Sequence, residues 1–104
     1  MSFLGHDDDA VTVAPEFHAV VFEDETVRLL EVTVPTGAKA QMHWHPRNLN
    51  YILVGGTLRF AKEDGSTAEV VLTTGQVTSS EAAAHAVENI SDSEVKTIQV
   101  EFKT

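Results

Sequence analysis

The chain has 104 residues, 42% of them hydrophobic and 22% charged, enough for one globular domain with one core. Its 16 acidic and 7 basic residues leave a formal net charge of −9, so neither a nucleic-acid backbone nor an anionic membrane surface is an expected partner. There is no cysteine, which excludes a disulfide scaffold, a thiolate nucleophile and a Cys-ligated zinc site.

In chain order, residues 1–16 read as an N-terminal arm and residues 17–104 as the folded domain. The arm has no basic region followed by an apolar core, so it does not read as a signal peptide, and a cytoplasmic location is the expectation. No apolar run approaches membrane-spanning length. His6, Asp7, Asp8 and Asp9 gather metal-capable groups. Acidic runs near a terminus are usually solvated and mobile, and that is the reading here. Residues 17–23 suit a first strand; His18 lies in it with no partner residue nearby and reads as structural. Asp24 and Glu25 look like a turn.

Residues 26–34 are rich in β-branched side chains and read as a strand, stopped by Pro35, Thr36 and Gly37. The segment around His43 follows, and residues 46–48 break it. Further strands are expected over residues 49–54 and 57–62, joined at Gly55 and Gly56, then over 68–73 after an Asp64-Gly65 hairpin turn. Residues 76–80 suit a short strand. The Glu81-Ala-Ala-Ala run has helical propensity but is read as a loop, because strand-like sequence follows within a few residues. Residues 85–90 and 94–102 complete the set. Many short strands with turns at fairly even spacing predict an all-β sandwich or barrel.

The chemistry centres on His43-Trp44-His45. Successive side chains of a strand point to opposite faces, so His43 and His45 would share one face with Gln41, leaving Met42 and Trp44 on the other. Two imidazoles fixed by backbone geometry are the start of a metal site, and Gln41 has the reach to join or support it. The same pair in an exposed strand could equally bind nothing. His85, on a later strand, is the candidate third ligand. Its spacing alone leaves open a structural histidine at a strand start.

The order and spacing of these residues resemble those of a small single-domain cupin, a double-stranded β-helix or jelly-roll barrel. Gly37, five residues, His43, one residue and His45 match the first cupin motif, with Gly55 or Gly56 standing near its closing glycine. Gly75, His85 and Asn89 follow the order of the second motif. The glutamate of the first motif falls on Leu49 or Asn50, of which only Asn50 could act as a ligand. The resemblance therefore implies a three-histidine variant: His43, His45 and His85 around one divalent transition metal. Asn50 or Gln41 stands as a possible fourth ligand or supporting group. Neutral nitrogens suit Fe, Ni, Zn, Cu or Co alike.

Three functional classes follow, in this order. The first is a metal-dependent enzyme, dioxygenase-like or an isomerase or lyase, acting on a small organic acid or dicarbonyl. The second is a metal-bearing module that binds or senses a small molecule without turnover. The third is a barrel that binds no metal. Arg59, inside the strand after the double glycine, is a candidate anchor for a substrate carboxylate, although a surface arginine is the commoner case. Long apolar strands such as residues 95–102 suggest a homodimer built by strand exchange or sheet packing, as cupins often form.

Overall fold

The computed structural model describes residues 2–104. The strands are β1 (His18–Glu23), β2 (Val27–Val34), β3 (Lys39–His45), β4 (Asn48–Val54), β5 (Gly56–Lys62), β6 (Thr67–Leu72), β7 (Val77–Ser80), β8 (Ala83–Asn89) and β9 (Val95–Phe102). They pair antiparallel into two sheets, ordered β1-β2-β9-β4-β7 and β3-β8-β5-β6. The all-β jelly-roll expectation is met. The turn chemistry explains the connections: Gly65 takes φ +88° in the β5–β6 hairpin, a conformation that costs glycine little. At Gly55 a Cβ would collide with the Leu72 carbonyl, so the β4–β5 corner can press onto the end of β6 only without a side chain.

The inner faces follow strand parity, most clearly on β9. Val95, Thr97, Gln99 and Glu101 are buried, while Lys96, Ile98, Val100 and Phe102 between them are half-buried. Ala40, Ile52, Leu58, Leu72, Val87 and Val95 form the apolar core, with Phe17 and Phe60 packed against it. Along β3 and β8 the apolar pair Ala40–Val87 gives way, across a register shift, to His43–His85. The interior is thus graded, oily at one level and lined with imidazoles at the next.

That register shift overturns one parity argument. A bulge between Ala40 and His43 adds a residue to β3, so Gln41 and Met42 both face outward while Ala40 and His43 both face in. Gln41 therefore does not share the histidine face.

The arm differs from the expectation of a solvated, mobile segment. A short helix, α1 (Ala10–Val13), is capped by Asp9, whose carboxylate accepts from the Val11 N–H at 3.1 Å. Ala10 and Ala14 are fully buried. Asp7 and Asp8 are exposed as expected, but Asp9 is 1% exposed and pairs with Arg28. The His6 ring stacks on the Trp44 ring at 3.5 Å, and the Trp44 backbone N–H donates to the Asp8 carbonyl at 2.7 Å. The arm is thereby fastened along β3.

Candidate metal centre

Four imidazoles meet inside the barrel. β3 carries His43 and His45 inward, with ring centroids 4.9 Å apart. His85, opposite His43 on β8, lies 4.9 Å from His43 and 5.2 Å from His45. The structure therefore brings the three sequence-predicted histidines together. It also adds His18, read from sequence as structural, at 4.9 Å from His43 and 5.3 Å from His45. Ligand nitrogens of His18, His43 and His45 all lie within 4.8 Å of one another, compatible with a shared ion. His18 opens β1 on its one inward position. No spacing links it to the other histidines, and a lone polar residue in Phe17-His18-Ala19-Val20 was the only signal.

Three of the four rings are tied by their outer nitrogen. His18 Nδ1 faces the Ala14 carbonyl at 2.9 Å, and His43 Nδ1 faces the Gln41 carbonyl at 2.6 Å. A carbonyl only accepts, so each Nδ1 carries the proton and each Nε2 keeps its lone pair. His45 Nδ1 donates to the Glu101 carboxylate at 2.7 Å. Metal-bound histidines are held in this way, by a carbonyl or carboxylate behind the ring. His43 Nε2 is buried with no hydrogen-bond partner among the described residues. A buried acceptor with nothing to accept is costly, and a cation at that point would satisfy it.

The electrostatics agree. Burial, with neighbouring imidazoles adding to it, pulls the pKa of His45 and of His85 down to about 3. Burial also lowers His18 to about 4, and it lowers His43 as well. At neutral pH all four rings are uncharged, the state that ligates metal. Burial pushes Glu101 up to about 6, a rise that Arg28 limits. Arg28, reached from β2, donates through Nε to Glu101 at 2.7 Å and through Nη2 to Asp9 at 2.6 Å. Asp9, Arg28 and Glu101 place one net negative charge behind His45, where it would offset part of a dication's charge. Sequence reasoning missed this trio. Parity pointed the other way: Arg28 between Val27 and Leu29, and Glu101 between Val100 and Phe102, read as outward-facing charges, yet both are buried.

The remaining sequence candidates fall elsewhere. Gln41 is exposed and donates its side-chain amide to the Val13 carbonyl at 3.1 Å, so it holds α1 rather than a metal. Asn50 does line the barrel cavity, with its amide N–H bound to Asn48 Oδ1 at 2.9 Å. Arg59 lies outside the cavity and pairs with Glu69 at 3.0 Å and Glu88 at 3.3 Å. Strand parity turns Leu58, Phe60 and Lys62 inward instead, so Lys62 is the basic side chain that lines the cavity. That cavity measures about 360 Å³ and is bounded by the histidines, a mostly apolar wall, and polar groups from β4, β7 and β9.

An eight-stranded or larger antiparallel barrel with histidines at its interior is the class of site that cupins build. A cupin domain model matches residues 30–101, and the chain belongs to the cupin family. Among solved structures it is similar to a cupin domain from Bordetella pertussis Tohama I, 26% identical, with a TM-score of 0.76 over 84% of this chain and 92% of that one. A double-stranded β-helix protein from Klebsiella pneumoniae is 16% identical with a TM-score of 0.66, covering 83% of this chain and 75% of the other. A predicted oxalate decarboxylase from Thermotoga maritima is 19% identical with a TM-score of 0.59, covering 82% and 77%. No curated protein matches. Among the described residues, no helix is long and apolar enough to cross a membrane.

Proposed function

We propose that this cupin is a metal-dependent enzyme whose centre is built on His43 and His45 and completed by His85, His18 or both. It would act on a small oxygen-bearing molecule held in the barrel cavity. The observation that carries the reading is the set of fixed rings: three Nδ1 atoms are bonded outward, and His43 Nε2 is buried without a partner among the described residues. A divalent transition metal bound there would supply Lewis acidity, polarising a chelating carbonyl or hydroxyl oxygen. The protein's own part is to orient the imidazoles through Ala14, Gln41 and Glu101, to exclude water with the apolar wall, and to place Lys62 where an anionic group could enter. Fe, Ni, Zn, Cu and Co all suit neutral nitrogens. Dioxygenase chemistry and isomerase or lyase chemistry both fit a small organic acid or dicarbonyl.

Metal analysis of tag-free protein tests the centre, with close to one ion per chain expected after incubation with cobalt(II). A protein that stays metal-free under those conditions defeats the reading. Oxygen uptake and product analysis with small diketones and keto acids then separate turnover from binding alone. A non-catalytic binding module is the second reading, because the carboxylate bonded to the cluster, Glu101, is fully buried.

The outer face of the five-stranded sheet presents Leu49, Tyr51, Leu53 and Val77, all exposed. This band carries the proposal of a homodimer formed by packing that face against a second copy. An uncharged band allows association in a chain whose net charge of −9 otherwise repels its own kind.

A further inference from the structure

Three side-chain amides line one wall of the cavity: Asn48 and Asn50 from β4, and Gln99 opposite Asn50 on β9. Their orientations form a chain of necessity. Asn48 Nδ2 is 2.8 Å from the Pro46 carbonyl, which can only accept, so Asn48 turns its NH₂ there and its Oδ1 inward. That oxygen must then receive donors, and it receives Asn50 Nδ2 at 2.9 Å and Gln99 Nε2 at 3.4 Å. Gln99 is thereby forced to leave Oε1 free. The atom is buried, has no partner among the described residues, and belongs to a residue only 7% exposed.

We propose that the cavity selects a compact, largely apolar molecule bearing a neutral hydroxyl or N–H group, seated with that donor on Gln99 Oε1. The proposal rests on the reading of the barrel as a small-molecule site and deepens it by naming what the ligand's far end carries. Gln99 and Glu101 are two residues apart on one face of β9, so Gln99 stands about 7 Å along the strand from the level of His45. A ligand with one oxygen towards the imidazoles and a hydroxyl at its other end spans that step. A carboxylate at this point would set its charge against a free amide oxygen, with Lys62 exposed at the end of β5 as the cavity's cation. A missing donor at a buried acceptor is penalised more heavily than a missing apolar contact.

The test compares phenol with toluene, which differ by a hydroxyl against a methyl group, in full-length protein with and without saturating zinc. Running both forms keeps the result independent of whether the histidines bind metal. Affinities are read by NMR titration, together with the shift of the Gln99 side-chain amide. Gln99→Leu is expected to weaken phenol about 3- to 10-fold and leave toluene unchanged or tighter. Gln99→Met, closer in shape, repeats the measurement should the leucine variant fold poorly. Benzoate, with no proton to donate at neutral pH, should hold or gain affinity in both variants. A phenol-to-toluene ratio that stays the same when Gln99 is replaced, with or without zinc, overturns the proposal.

Discussion

At the scale of the residue, the histidines and the groups behind them should separate cleanly by metal affinity. His43→Ala and His45→Ala remove rings that every candidate triad shares, and each should lose most of the bound metal. His18→Ala and His85→Ala test which further ring completes the centre. Glu101→Gln keeps the shape but removes the charge behind His45, and should cost about 10–100-fold in affinity, measured by competition with a chelator. Asn50→Ala should leave occupancy intact, because the Asn50 amide is spent on Asn48. A metal-free Asn50→Ala protein beside a loaded parent would sink the all-histidine centre. The pH dependence has a defined sign. Folded histidines that resist protonation lose ground to an unfolded chain that accepts protons. Metal-free protein should therefore lose stability as pH falls from about 6.5 towards 4, where His18 titrates, and on towards 3 for His45 and His85. Each histidine contributes at most about 1.4 kcal/mol per pH unit. Glu101, raised to about 6, opposes this between about 4.5 and 6. Urea unfolding across that range should show a net rise of stability with pH.

At the scale of the element, the strands were legible to within about two residues of their observed ends. Alternating β-branched residues bounded by Gly, Pro or Asp admit few other readings. What escaped was wherever local pattern yields to a tertiary partner. The bulge in β3 left no trace in the sequence, so parity misassigned Gln41. α1 has only four residues and depends on the buried Asp9 cap, which looks in sequence like one more member of an acidic run. His18 needed the β1–β2 pairing to bring it near β3. The arm is also where stability is expected to be concentrated. Asp9→Ala removes one of two carboxylates on a buried Arg28 and should destabilise the fold by about 3 kcal/mol, read from denaturant unfolding. A loss below about 1 kcal/mol would mean that the docked arm contributes little.

At the scale of the whole molecule, the proposed homodimer packs the apolar outer face of the five-stranded sheet against a second copy. Light scattering at micromolar concentration should give twice the mass of an 11.3 kDa chain. Tyr51→Glu, placing a charge at the centre of that face, should return the monomer without altering metal stoichiometry. A parent protein that is already monomeric at micromolar concentration would rule the face out as a dimer surface. The separation matters because the imidazoles and the cavity lie on the inner side of the sheets, and nothing in their geometry requires a second copy.

Trp44 stands between two of the candidate ligands in sequence while its indole lies against His6 of the arm. As the single tryptophan in the chain, it gives one fluorescent signal for two events. Paramagnetic copper or cobalt entering beside His43 and His45 should quench the emission at once. Peeling the arm away should instead release the indole from its stacked partner and shift the spectrum to the red. An unmodified sample in a cuvette thus reports both how the centre fills and whether the strap beside it is closed.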